Sequence, residues 1–345
     1  MLFIGKIHAH LYSHDIMFII PLRNSPRWNM RATVAKDKKY IGIDIGGTQL
    51  RAALYSGEGI EPLKKKIIAT HSGEEKPEDR LNDLIGEIWP EDGGVERIGI
   101  AVPGPVDPKN GIVYKASNVK GWIDIPLGPL VEKRHKTPVI LGNDANLAAL
   151  GEWKYGAGVG HHDVIYLTIS TGIGGGFIID DRMLVGPQGI AGEVGHITVL
   201  PDGPLCGCGR RGHLEAVSSG TGIANYVERR LKEGARSSLS LDPHKPNSRQ
   251  IAEAGAQGDP LAVEAFEYAG TFLGRAITDL LHIFNPTVIV LGGGVSNARD
   301  LLLNPVKRAM ENSVMTPAYL ERLQICYAKL GDQAGLVGAM VLAKG

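Results

Sequence analysis

Two apolar hairpins, each closed on glycine and threonine, constrain this chain more than any other feature. Tyr40–Asp44 is a short apolar strand that runs into Gly46-Gly47-Thr48, and Arg51–Tyr55 resumes as its partner. Val164–Ser170 ends in Thr171-Gly172, and Gly174–Ile179 returns. Apolar runs of this length bounded by glycine predict strands joined by tight turns. After each hairpin the pattern alternates helix and strand. The first half predicts a strand over Lys65–Thr70, a helix over Asp79–Trp89, a strand over Arg97–Val102 and a helix over Pro126–His135. A strand over Pro138–Leu141 and a helix over Ala145–Tyr155 complete it. The second half predicts helices over Gly222–Lys232 and Asp259–Phe284, strands over Thr287–Leu291 and Leu323–Tyr327, and a last helix near Gln333–Ala343. The halves share no residue-level repeat, so the expectation is a duplicated α/β architecture with a cleft between the copies.

Composition narrows the class. The chain has 345 residues, enough for two domains, and 43% apolar residues, as a packed protein requires. Lys plus Arg and Asp plus Glu are both 37, so no net field recruits nucleic acid or a membrane surface. Three cysteines, Cys206, Cys208 and Cys326, are too few for a disulfide framework and point to a reducing cytoplasm. No apolar run has the roughly 18 residues of a membrane span. Residues 1–39 read as an N-terminal extension, or as an over-long start with Met30 as initiator. The stretch Met1–Lys39 is too short and aperiodic for a helix-turn-helix domain.

Glycine turns at strand ends leave backbone N–H groups free to face an anion. Asp44-Ile45-Gly46-Gly47-Thr48 and Ser170-Thr171-Gly172-Ile173-Gly174-Gly175-Gly176 offer such donors from opposite halves, and Gly292-Gly293-Gly294 follows a third strand. One such cluster is usually only a turn. Three at corresponding strand ends predict a nucleotide cleft, with Asp44 meeting phosphates through Mg²⁺. The chain has neither a Walker A loop nor a strand-to-helix G-x-G-x-x-G.

Asn143-Asp144-Ala145-Asn146 opens a helix just after a strand. Two readings of Asp144 stand here: an N-cap, or a general base accepting a hydroxyl proton as that oxygen attacks the γ-phosphate. Asn143 would orient sugar hydroxyls. Further on, His196, Cys206, Cys208 and His213 have the residue types and spacing of a closed tetrahedral Zn²⁺ site, the alternative being two free cysteines. Glu193 and Glu215 flank these residues, where a metal loop would aim both carboxylates at vicinal hydroxyls.

Taken together, these segments resemble the ROK family (repressor, open reading frame, kinase), and its glucokinase branch in particular. Ala101-Val102-Pro103-Gly104-Pro105-Val106, Asn118-Val119-Lys120-Gly121-Trp122 and Glu193–His196 join the motifs above in carrying the likeness, which runs from Tyr40 to the C-terminus. The resemblance implies a two-domain actin-like ATPase (ribonuclease H-like) fold and transfer of the ATP γ-phosphate to a hexose 6-hydroxyl. Domains are expected at 40–143 with 331–345, and at 144–330, the zinc loop spanning 193–215. Asp144 is then the base, and Gly104, Asn118, Asn143, Glu193, His196 and Glu215 line the sugar site. Asp44, Gly46, Gly47, Thr48, Thr171, Gly172, Gly174, Gly292, Gly293 and Gly294 serve the nucleotide, and a homodimer is the default. Glucose is the expected substrate, with other hexoses, N-acetylhexosamines or a sugar-responsive regulator as alternatives. The family usually has a third cysteine where this chain has His213, and a lysine is common where it has Gln49.

Overall fold

Residues 38–116 and 118–345 are described by the computed structural model of the chain. The expected extension lies outside them up to residue 37, and the first strand opens at Lys39. The first half contains β1 (Lys39–Ile45), β2 (Gln49–Ser56), β3 (Pro62–Ala69), α1 (Pro77–Ile88) and β4 (Arg97–Val102). Three short strands follow, β5 (Val106–Asp107), β6 (Ile112–Lys115) and β7 (Ile123–Ile125), then α2 (Leu127–His135), β8 (Val139–Asn143) and α3 (Asp144–Tyr155). The second half contains β9 (Val164–Ile169), β10 (Ile173–Ile179), β11 (Arg182–Met183), α4 (Leu214–Ser218), α5 (Gly220–Lys232), α6 (Ser248–Ala256) and α7 (Pro260–Phe284). It closes with β12 (Val288–Gly292), α8 (Asp300–Glu311), α9 (Ala318–Glu321), β13 (Gln324–Tyr327) and α10 (Ala334–Lys344).

Duplication shows in the strand order. One sheet runs β3-β2-β1-β4-β8 and the other β11-β10-β9-β12-β13. In each, the central strand pairs antiparallel with the next and parallel with a later one. Hairpin geometry accounts for the antiparallel edge, and helical crossovers account for the parallel edge. Strands β5–β7 form a separate small antiparallel sheet, too short for sequence periodicity to reveal.

The helices after the last strand of each sheet exchange places. Helix α3, which follows β8, packs on β9 and β10, whereas α10, which follows β13, packs on β1 and β4. Glycine makes this possible. A Cβ on Gly42 of β1 would stand 2.8 Å from Leu336 O, and one on Gly99 of β4 would strike Ala339 O. Where α3 and α10 cross, a Cβ on Gly151 would lie 2.6 Å from Ala334 O, and one on Gly338 would strike Leu147 O. Leu147, Leu150, Leu336 and Met340 are buried around this crossing, each contributing ~1.5–3 kcal/mol.

A carboxylate pins the same crossing. Glu152 of α3 is fully buried and accepts backbone N–H groups from Ala157 at 2.7 Å, Lys329 at 3.0 Å and Leu330 at 2.7 Å. Three donors satisfy much of a charge that burial would otherwise penalise heavily. The segment leading into α10 is thereby tied to the end of α3.

Candidate active site

The first glycine turn is a two-residue hairpin: Gly46 N–H donates to Gln49 O at 2.8 Å, leaving Gly47 and Thr48 at its tip. Thr70, fully buried at the end of β3, braces it from below by donating its hydroxyl to Gly46 O at 2.6 Å. A Cβ on Gly47 would lie 2.7 Å from Asn118 O, so the expected sugar-site residue Asn118 sits against the phosphate turn. Asp44 faces Arg51 across the β1–β2 pair, with Nη1 3.5 Å from Oδ2. Burial pushes the Asp44 carboxyl up to about 6, with Arg51 opposing the rise and Asp332 adding to it. A cavity of about 240 Å³ opens here, lined by Asp44, Gly46, Gly47, Thr48, Gln49 and Arg51.

The second turn is held by its own half. Ser170 N–H donates to Gly172 O, Gly220 N–H to Ser170 O, and the Thr221 hydroxyl to Thr171 O, each at 2.8 Å. Gly172 lies against the Glu215 carboxylate, which accepts Ile173 N–H at 3.1 Å. Gly174 stands within β10, where a Cβ would meet that of Ala145 at 2.9 Å, so helix packing already accounts for glycine there. The third cluster divides similarly. Gly292 is filled against Tyr166, Gly293 (φ 82°) presses on the Ile169 backbone, and Gly294 is open on its Cβ side.

Between the turns, β8 delivers Asn143 and Asp144. Asn143 is the helix cap: its Oδ1 accepts N–H from Ala145 at 3.0 Å and Asn146 at 3.1 Å. Its Nδ2 donates to Gly104 O at 3.1 Å, a carbonyl presented by a φ of 88° that suits glycine. That leaves one amide hydrogen of Asn143 for a ligand. Asp144, the first helical residue, is released from capping; its side chain accepts Ala145 N–H at 2.8 Å. Burial pushes Asp144 up to about 7, Ala145 N–H resists, and the charges of Asp44 and Glu193 add to the rise. Carboxylates from both halves therefore act on the ionisation of Asp144.

Glu193 and Glu215 flank a cluster of cysteine and histidine side chains. Donor atoms of His196, Cys206, Cys208 and His213 all lie within 4.8 Å of one another. Cys208 Sγ is 3.2 Å from His213 Nδ1, and Cys206 Sγ is 3.8 Å from His196 Nδ1. Bonds of ~2.0–2.3 Å to a tetrahedral Zn²⁺ would set ligands ~3.5 Å apart, so these residues fit that ion after small adjustments. The turn is formed by Cys206 N–H to Arg210 O at 2.7 Å and Gly209 N–H to Cys206 O at 2.9 Å. His213 directly precedes α4, whose first turn carries Glu215. Glu215 Oε1 in turn accepts from Cys206 Sγ at 3.5 Å. Burial raises Glu193, with His196 opposing and Glu215 adding.

Thr70, Arg51 and Glu152 were not singled out from the sequence as parts of this region. Each reads there as an ordinary strand or helix residue, and only the tertiary pairing gives it a partner.

Known proteins resemble the chain across this whole region. A glucokinase of Thermotoga maritima is 36% identical over 311 residues, 89% of this chain and 97% of that relative. The structure of a ROK family glucokinase from Streptomyces griseus, with glucose and AMPPNP, matches with a TM-score of 0.73 at 38% identity, over 89% of this chain and 99% of that one. A ROK family transcriptional regulator, homologous to the E. coli MLC protein, matches with a TM-score of 0.77 at 29% identity, over 88% of this chain and 77% of that one. The fold is the two-domain actin-like ATPase fold of these neighbours. With the family's sequence pattern matched over residues 40–345, the chain belongs to the ROK family.

Proposed function

We infer that this protein is an ATP-dependent sugar kinase whose substrate is glucose, converted to glucose 6-phosphate. The observation that carries the mechanism is the release of Asp144 from helix capping. Asn143 supplies the cap, so the Asp144 carboxyl is not committed to that role, and burial raises it to about 7. A base of this strength is matched to accepting a hydroxyl proton at physiological pH.

In this reading the sugar lies among Gly104, Asn118, Asn143, Glu193, His196 and Glu215. Glu193 and Glu215 accept hydrogen bonds from its hydroxyls. Asp144 takes the 6-hydroxyl proton as that oxygen attacks the γ-phosphorus, and ADP departs. The turns at Gly46–Thr48 and Thr171–Gly172, with Gly294, donate backbone N–H groups to the nucleotide. Mg²⁺, held from the Asp44 side, would neutralise the phosphates, and Zn²⁺ on His196, Cys206, Cys208 and His213 would stiffen the loop carrying Glu215. The division into 40–143 with 331–345 and 144–330, a homodimer and a cytoplasmic setting belong to the same proposal. No helix among the described residues is long and apolar enough to cross a membrane.

A coupled assay of ADP release over a panel of hexoses tests the reading. Glucose is expected to give the highest kcat/KM. Turnover on no sugar, with ligand-induced changes only, would favour the regulator function named for one neighbour.

A further inference from the structure

The cavity at the first glycine turn contains one cation among its six lining residues, Arg51. Its guanidinium is oriented by one good hydrogen bond, Nη1 to Asp332 O at 2.9 Å. Its other contacts are long: 3.5 Å to Asp44 Oδ2 and 3.4 Å from Nη2 to Gln49 Oε1. Arg51 and Gln49 are alternate residues of β2 and share one face of the strand, the face that borders the cavity. The Arg51 side chain is 28% exposed, so its unused donors remain reachable. A planar fork with spare N–H groups beside a backbone anion turn suits phosphate oxygens.

We propose that Arg51 is a phosphate-positioning residue, a cation that offsets Asp44 and donates to the polyphosphate tail of the nucleotide. The inference rests on the nucleotide reading of this turn. Asp44 beside an anion site repels phosphate unless a positive charge intervenes. Two cations can provide that charge. Mg²⁺ arrives with the nucleotide, whereas Arg51 is built in. Arg51 therefore matters most to a nucleotide that arrives without metal, and less to the Mg²⁺ complex.

The test is titration calorimetry of ADP, with and without Mg²⁺, on wild type, Arg51→Ala and Arg51→Lys at pH 8. Glucose affinity and thermal midpoint serve as controls. Arg51→Ala is expected to weaken metal-free ADP by about tenfold or more and Mg·ADP by about threefold. Arg51→Lys should recover part of the loss, and both controls should stay at wild-type values. Equal ADP affinities in all three proteins would overturn the proposal. So would equal losses with and without Mg²⁺ accompanied by lost glucose affinity, the mark of a merely structural arginine. Wild type failing to bind Mg·ADP would overturn the nucleotide reading itself, along with this proposal.

Discussion

Replacing Asp144 by Asn should produce two opposite effects, one on activity and one on stability. The amide cannot accept the hydroxyl proton, so kcat should fall by ~10²–10⁴ while glucose still binds. The stability effect follows from the carboxyl at about 7 in the folded protein against an ordinary value of 3.8. A carboxyl raised on folding binds its proton more tightly in the native state, so ionising it opposes folding. The penalty is absent below about pH 4, grows between pH 4 and 7, and is constant above. Three pH units correspond to ~4 kcal/mol at most, and the partial solvent access of Asp144 brings this to ~2 kcal/mol. Asp144→Asn should therefore melt ~3 °C above wild type at pH 8 without ligands, and level with it near pH 3.5. Scanning calorimetry at both pH values, beside a coupled activity assay, measures the pair. Wild-type kcat/KM should fall about tenfold per unit as pH drops below 7. Full activity in Asp144→Asn would refute the general base, and a variant equally stable or less stable at pH 8 would refute the burial argument.

Three further perturbations test separate parts of the site. His213→Ala should lower zinc content well below one per chain and raise the KM for glucose, whereas His213→Cys should keep the metal; elemental analysis and kinetics read both, with a loss of at least ~10-fold in metal affinity. Gly47→Ala forces a Cβ to within 2.7 Å of Asn118 O and should raise the KM for ATP ~10-fold, or ~1.4 kcal/mol, within the ~1–3 kcal/mol typical of overpacking. Glu152→Ala strands three buried N–H groups and should destabilise the fold by ~3 kcal/mol or more, seen as a lower melting temperature and faster proteolysis near Lys329.

Local pattern and tertiary pairing divide what a reader of the sequence can see. The hairpins were legible because apolar runs interrupted by glycine have one simple solution. The clustering of His196, Cys206, Cys208 and His213 was legible because four such side chains lie within eighteen residues of sequence, and the fold brings their donor atoms within 4.8 Å of one another. Asp144 was ambiguous, since Asn and Asp cap helices equally well. The choice depended on β8 running on through Asn143, which pairs with Val102 and places the cap one residue earlier. Helix α8 was missed because Pro305 interrupts its pattern; its ring packs against Gly270, 2.6 Å from where a Cβ would be. Glu152 reads as a solvated helical glutamate until Lys329 and Leu330 arrive from 177 and 178 residues away. The interior glycines of β10 suggested phosphate donors, yet Gly174 and Gly176 admit α3 instead.

The exchange of α3 and α10 has a consequence for how the molecule is made. The face of the first sheet formed by β1 and β4 is covered by Leu336, Ala339 and Met340, which follow that sheet's strands far along the chain, after the whole second half. A growing chain thus carries an uncovered apolar surface from the emergence of β1 and β4 until α10 emerges. The N-terminal half cannot finish folding ahead of the rest, as successive domains commonly do. Its completion waits on α10, so a message truncated before Ala334 yields a protein with both halves compromised.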